Sequence, residues 1–168
     1  AFDLSGPTFR SEEYPEYKAG RQKTPEEFAG QIEYIQQTLD TLNIPWITVE
    51  GFEADDIIAT GASLAEQAGA EVVVVSGDRD AFQLISERTR VLYPTKGISD
   101  IPPRTAADIE EKYGVGPQLY RHVAALVGES ADNLPGVPKV GPKTAAKWLR
   151  QYGDLEGVLA HAEEIRGK

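Results

Sequence analysis

The stretch Glu71-Val72-Val73-Val74-Val75-Ser76-Gly77-Asp78-Arg79-Asp80 decides the fold class. Four consecutive valines predict a β-strand, and the lack of polar alternation predicts one buried on both faces, as in a parallel sheet. A short helix follows from about Arg79, and Val91-Leu92-Tyr93 predicts the next strand. Upstream, a helix is expected from near Ala54 to near Gly69, preceded by a strand over Trp46 to Val49. Thr24-Pro25-Glu26-Glu27 is a helix start: Thr as N-cap, Pro at the first position, Glu three residues after the cap. Phe28, Ile32, Ile35 and Leu39 fall on one face of that helix and carry it to about Leu42. Strand and helix alternate, so the expected class is α/β with a parallel sheet over residues 1–103. Residues 5–25 are polar, with Pro7, Pro15, Gly20 and Pro25, and are expected to form an exposed, partly helical excursion. The texture changes near Pro102-Pro103. From Thr105 the pattern is wholly helical, in short pieces divided by Gly114, Gly128, Pro135, Gly141 and Gly153, so residues 104–168 are expected to form a helical subdomain.

Composition narrows the chemistry. The 168 residues include no cysteine, which excludes disulfides and thiolate metal sites and fits a reducing cytoplasm. Two histidines, His122 and His161, leave little room for a zinc centre. A metal here would be held by oxygen, which favours magnesium, manganese or calcium. No apolar run approaches membrane-spanning length and no signal-peptide pattern is present. The chain has no methionine and opens on Ala1-Phe2-Asp3, which reads as the tail of a buried strand, so upstream residues are expected. The net charge of −10 argues at first against a nucleic-acid partner, but distribution matters more than the sum.

The acids fall in groups. Glu53-Ala54-Asp55-Asp56 opens a helix, Asp78-Arg79-Asp80 follows the valine strand, Glu129-Ser130-Ala131-Asp132 lies between helices, and Asp3 follows the apolar Phe2. Each alone has an ordinary explanation: acids at a helix N-terminus complement its dipole, and Asp78 suits an N-cap. Asp3, Glu53 and Asp78 each follow an expected strand end, where ligands of open parallel sheets bind. Carboxylates converging there would repel one another unless divalent cations intervened. Two such cations about 4 Å apart activate a water and stabilise the leaving oxygen of a phosphodiester.

Basic residues cluster in two places. Leu134-Pro135-Gly136-Val137-Pro138-Lys139-Val140-Gly141-Pro142-Lys143-Thr144 carries two glycines around a tight turn, with a helix beginning at about Pro142. Helix-start amides suit a phosphate. Lys139, Lys143, Lys147 and Arg150, with no acid among them, would grip backbone phosphate without reading bases. An ordinary helix with a solvated basic face is the competing interpretation. The excursion offers Arg10, Lys18, Arg21 and Lys23 interleaved with Phe9, Tyr14 and Tyr17, a mixture suited to a splayed single strand. Glu12, Glu13 and Glu16 dilute that signal.

Phe2-Asp3, Tyr17-Lys18-Ala19-Gly20-Arg21, Glu53-Ala54-Asp55-Asp56, Gly77-Asp78-Arg79-Asp80 and Asp132-Asn133-Leu134-Pro135-Gly136, in this order, resemble the 5′ nuclease domain attached to bacterial DNA polymerase I, a family related to flap endonucleases. The resemblance runs from end to end. It implies a parallel-sheet, PIN-like core, a helical arch, and a C-terminal helix-three-turn-helix that holds duplex DNA. It implies Mg2+ or Mn2+, two or more, on the carboxylates Asp3, Glu53, Asp55, Asp56, Asp78, Asp80, Glu129 and Asp132. Lys18 and Arg21 match the basic pair that steadies the substrate phosphate. Arg10, Tyr14, Gly136, Lys139, Gly141, Lys143, Thr144 and Lys147 are the further DNA-contacting candidates. The hairpin resembles one that binds K+ through main-chain carbonyls, here those of Val137 and Val140. The implied protein is a cytoplasmic, nucleoid-associated monomer acting on flapped, nicked or branched DNA in replication and repair, with a polymerase domain in the same full-length chain.

Two departures stand out. The family usually has Asp-x-Ser-Asp where this chain has Glu129-Ser130-Ala131-Asp132, so the Glu129 carboxylate sits one methylene further out and Ala131 lacks a hydroxyl. The family's first strand carries a metal-binding Asp that has no counterpart here, and the family domain continues beyond Lys168. A weak or inactive nuclease that only binds DNA is therefore the alternative. A phosphatase with an aspartyl nucleophile at Asp78 fits poorly, because that chemistry usually wants Thr or Val two residues after the second Asp, where Phe82 stands.

Overall fold

The structure, a computed structural model, describes residues 1–21, 25–95, 97 and 99–165. The expected N-cap Thr24 and the excursion's Lys23 lie outside the described residues; Pro25, expected at the first helical position, is instead the N-cap, its ψ of 141° keeping it out of the helix that begins at Glu26. The chain forms two compact units, Ala1–Thr60 with Ala131–Asn133, and Gly61–Ser130 with Leu134–Lys168.

The first unit holds α1 (Phe9–Glu13), α2 (Glu26–Thr41) and the opening turns of α3 (Ala54–Gln67). A box between Thr8 and Ser11 starts α1: the Thr8 amide donates to Ser11 Oγ at 2.9 Å, and Ser11 Oγ donates to the Thr8 carbonyl at 2.8 Å. The α3 start is built by acids. Asp3 Oδ1 accepts the Ala54 amide at 2.6 Å and Asp56 Oδ2 accepts the Glu53 amide at 3.0 Å. These carboxylates satisfy amides that the first turn leaves unpaired and complement the helix dipole. The face expected on α2 is only partly covered: Ile32 and Leu39 are half-buried, whereas Phe28 and Ile35 are exposed. The strand expected over Trp46 to Val49 is absent. Among the described residues, one main-chain bond joins this stretch to a segment distant in sequence, from the Phe2 amide to the Ile47 carbonyl at 3.0 Å; the bond from the Phe52 amide to the Val49 carbonyl at 3.3 Å is a local turn. A ladder needs several such bonds, and none of Trp46, Ile47 and Val49 is buried.

In the second unit, β1 (Val72–Val75) pairs in parallel with β2 (Thr89–Leu92), from Val72 opposite Thr89 to Val75 opposite Leu92. The short β3 (Pro103–Arg104) adds antiparallel to β2, so the described sheet is mixed rather than wholly parallel. The valine strand is buried on one face only: Val74 is 5% exposed, but Val73 and Val75 are 51% and 62% exposed. An unbroken apolar run permits burial on both faces without demanding it; a packed layer on each side must do that.

The region beyond residue 104 holds α4 (Ala106–Tyr113), α5 (Pro117–Val127), α6 (Pro142–Tyr152) and α7 (Leu155–Ala160). It is not wholly helical, because β4 (Gly128–Glu129) and β5 (Leu134–Pro135) form a small antiparallel pair. Val115, Val123, Leu126, Ala145, Ala146, Leu149 and Val158 make one buried cluster from these helices. A second group stacks Phe82, Tyr93, Tyr113 and Tyr120, with the Tyr113 and Tyr120 rings 4.9 Å apart and near-perpendicular.

Two glycines are needed where β4 meets β5. Gly128 has φ +83°, and a Cβ on Gly136 would lie 2.0 Å from the Val127 carbonyl oxygen. Only glycine permits that approach. Two lysines, Lys18 (φ 58°) and Lys139 (φ 65°), take the left-handed conformation that residues with a Cβ normally avoid.

Candidate active site

In the first unit, Tyr17, Lys18 and Arg21 of the excursion meet Glu53 at the start of α3 and Asp132 of the Ala131–Asn133 segment. The Tyr17 hydroxyl lies 3.1 Å from Glu53 Oε2 and 3.3 Å from Asp132 Oδ2, so the two carboxylates flank one phenol. Burial leads in pushing the phenol up to about 12, so it keeps its proton at neutral pH and can donate to either acid. Lys18 Nζ donates to Glu53 Oε1 at 2.8 Å, and Arg21 pairs with Asp132 Oδ1 at 2.5 Å. The Lys18 amide also donates to the Asp132 carbonyl at 2.9 Å. Burial pulls the Lys18 ammonium down, but the hydrogen bonds it donates to Glu53 and Tyr17 outweigh it and leave the group raised. The acids are the more enclosed partners, at 13% and 12% side-chain exposure, against 25% for Lys18 and 51% for Arg21.

A second ion pair adjoins this one. Arg10 grips Asp56 through both terminal nitrogens, each at 2.7 Å, and lies 3.8 Å from Glu53 Oε2. That hydrogen bond is the main cause holding the Asp56 carboxyl below its ordinary value. Asp55 is exposed on the first turn of α3, and Asp3 accepts the Ala54 amide through Oδ1. Tyr14 donates to Glu16 at 3.1 Å in an exposed contact.

The other carboxylates belong to the second unit. Asp78 caps the 3-10 helix Arg79–Leu84, its Oδ1 accepting the Asp80 amide at 2.9 Å. Asp78, Asp80 and Glu129 are all exposed. Among the described residues, no group of three or more acids and histidines converges to hold a metal. The Glu53 and Asp132 pair nevertheless fits a hard cation: two largely enclosed carboxylates face each other across a polar group, and every donor is oxygen.

The hairpin candidates are also in the second unit. Gly141 precedes α6 as its N-cap and Pro142 occupies the first position. Lys139, Lys143 and Lys147 are exposed and Thr144 is half-buried. The Val140 amide donates to the Val137 carbonyl at 3.1 Å, closing the turn. Gly136 serves the close backbone approach described above. Arg150 does not join the basic face: its guanidinium donates to the Gly114 carbonyl at 2.7 Å, satisfying the C-terminus of α4.

Tyr17 is the site residue whose part differs most from the sequence-based expectation. Composition suggests a stacking aromatic, yet its hydroxyl is what joins the two acids. Its position directly before Lys18 is the available signal.

Comparison with known proteins gives the family. The family model described as "5'-3' exonuclease, N-terminal resolvase-like domain" matches residues 1–114, and "5'-3' exonuclease, C-terminal SAM fold" matches residues 115–168. DNA polymerase I of Mycobacterium tuberculosis (strain ATCC 25618 / H37Rv) is 52% identical over 168 residues, covering 100% of this chain and 19% of the relative. DNA polymerase I of Bacillus subtilis (strain 168) is 45% identical over the same 168 residues, again 19% of its length. The chain thus spans about a fifth of these relatives, at 19%. Among solved structures, the T5 D15 protein co-crystallised with metal ions superposes with a TM-score of 0.82 at 25% identity, covering 99% of this chain and 65% of the other. The catalytic core of Rad2 in complex with DNA substrate, at TM-score 0.60 and 19% identity over 97% of this chain and 50% of the other, shares the fold. The chain, with a resolvase-like domain followed by a SAM fold, belongs to the 5′-3′ exonuclease family.

Proposed function

We propose that this chain carries a structure-specific 5′ nuclease centre that hydrolyses DNA phosphodiester bonds at 5′ ends and flaps. The observation that carries the proposal is the seating of Lys18 and Arg21 on Glu53 and Asp132 around the Tyr17 hydroxyl. Glu53, Asp55 and Asp132, with Asp3, Asp78, Asp80 and Glu129, are the candidate holders of Mg2+ or Mn2+. When bound, such cations supply an activated water and stabilise the leaving oxygen. Lys18 and Arg21 act on the substrate side: their charges stabilise the negative charge that develops on the scissile phosphate. Tyr17 keeps the two acids and Lys18 in one register.

The hairpin is the proposed grip on duplex. Lys139, Lys143 and Lys147 neutralise backbone phosphates, and the α6 start adds the Gly141 amide and the Thr144 hydroxyl, since the Thr144 amide is bound to the Gly141 carbonyl at 3.0 Å. K+ on the main-chain carbonyls of Val137 and Val140 fits this reading, since Val137 spends one of its two lone pairs on the turn. The proposed partners are flapped, nicked or branched DNA and a polymerase domain in the same full-length chain. The DNA polymerase I relatives, of which this chain spans 19%, support a DNA partner and a polymerase domain.

The test is a flap-cleavage assay with magnesium against EDTA, comparing the parent with Asp78→Asn. Asparagine caps a helix as well as aspartate, so this change removes a charge while keeping the local structure. Cleavage should need the metal and vanish in the variant, with duplex binding retained. DNA retention without cleavage by the parent would favour a binding module instead.

A further inference from the structure

We infer that Arg10 and Asp56 form a positioning pair that fixes Glu53 and the root of the excursion, and that neither is a DNA contact or a metal ligand. The inference rests on the nuclease reading of Glu53. Asp56 is already occupied. Oδ1 accepts one Arg10 nitrogen, while Oδ2 accepts the other and the Glu53 amide at 3.0 Å. A carboxylate has about four lone-pair sites, and three are taken. Turning to a cation would break a bidentate, charge-assisted contact and leave a partly enclosed guanidinium without its partner. Asp55, next in sequence, is exposed on the same helical turn.

The surroundings of Arg10 form a joint. Its guanidinium lies 4.5 Å from the Phe9 ring centre, Phe9 packs on Phe52 at 5.8 Å, and the Phe9 amide donates to the Gly51 carbonyl at 3.3 Å. Ring packing, a main-chain bond and an ion pair thus bind α1 to the residues opening α3. Arg10 also sits 3.8 Å from Glu53 Oε2, so the same cation limits where that carboxylate swings. Residues that orient a metal ligand from behind typically change activity by about 10- to 100-fold when removed.

The test uses this chain and four variants: Asp56→Asn, Arg10→Ala, Arg10→Lys, and the double change. Manganese alone is titrated and bound ions are counted by electron paramagnetic resonance. Single-turnover flap cleavage is measured against DNA concentration, and the thermal midpoint is read without metal. Asp56→Asn and Arg10→Ala should bind as many ions as the parent. Each should lower the saturated rate by about 10- to 100-fold with little change in half-saturating DNA, and the double variant should be no worse. Arg10→Lys, which keeps the charge but not the fork, should recover part of the rate. Loss of one manganese in Asp56→Asn, with tighter manganese binding in Arg10→Ala, would make Asp56 a ligand and overturn the inference. A raised half-saturating DNA concentration and a shallower salt dependence in Arg10→Ala alone would make Arg10 a DNA contact and overturn it equally. Should the parent not cleave at all, the nuclease reading fails by itself. The ion count and the coupling of the two changes in thermal midpoint still judge the pair.

Discussion

The excursion and the hairpin both present lysine and arginine, yet their cations live in opposite circumstances. Arg10, Lys18 and Arg21 are each bound to a carboxylate of the first unit. Lys139, Lys143 and Lys147 of the second unit have no ion-pair partner among the described residues. The difference separates two uses of positive charge. A cation held by acids is aimed, because its position is fixed before a substrate arrives. A cation left in solvent is a flexible counter-charge, suited to neutralising a phosphate wherever it lies.

The sharpest break between the two regions should come from Lys18→Ala. Removing an aimed donor of this kind typically lowers a rate by about 10²- to 10³-fold. Single-turnover cleavage at saturating flap DNA should fall on that scale, with affinity changing much less. The double change of Lys143 and Lys147 to Ala should do the reverse, leaving the saturated rate near the parent's. Equal rate losses in both would erase the distinction.

That double variant defines the next, smaller effect. Each phosphate contact contributes about 0.9 to the slope of log affinity against log salt, so the slope should become shallower by about two. The loss should be similar for unrelated duplex sequences, as fluorescence anisotropy across a salt series would show. A sequence-dependent loss would contradict backbone gripping.

Acid provides the smallest and most specific comparison. Arg10 holds Asp56 below its ordinary value, so the pair stabilises the fold at pH above about 3.9, the unfolded aspartate value. The contribution disappears as pH falls through the folded value, because protonated Asp56 no longer attracts the guanidinium. After solvent screening it amounts to about 1 kcal/mol or less. The thermal midpoints of parent and Arg10→Ala should differ at neutral pH and converge towards pH 2. Parent and Lys143→Ala should show no such convergence.

Local signals made much of this legible. The limits of α3 and α6 and the end of α2 follow from apolar spacing, Pro142 and glycine stops after α3 and α6, and the acids of residues 53–56 do open a helix, whereas α2 starts one residue later than its Thr-Pro signal places it. What failed was non-local. Trp46 to Val49 has strand composition, but a strand exists only beside a partner, and a single bond from Phe2 does not make one. The valine run became a strand, but its second buried face depended on layers that no local pattern specifies. Arg150 looks like part of a basic face in the sequence, but α4 ends beside it. In the site, motif order identified Lys18, Arg21, Glu53 and Asp132 as belonging together. The Tyr17 hydroxyl between the acids depended on residues 36 and 115 positions away.

The left-handed backbone at Lys18 and Lys139 offers a clean way to ask what a lysine is for. Glycine at such a position removes the charge and relieves the backbone at once, typically by about 1 kcal/mol. At Lys139 no ion pair among the described residues offsets that gain. Lys139→Gly should therefore melt higher than the parent while holding duplex DNA less tightly. A protein that becomes sturdier and less capable through the same substitution reveals a residue retained for its work rather than for the fold.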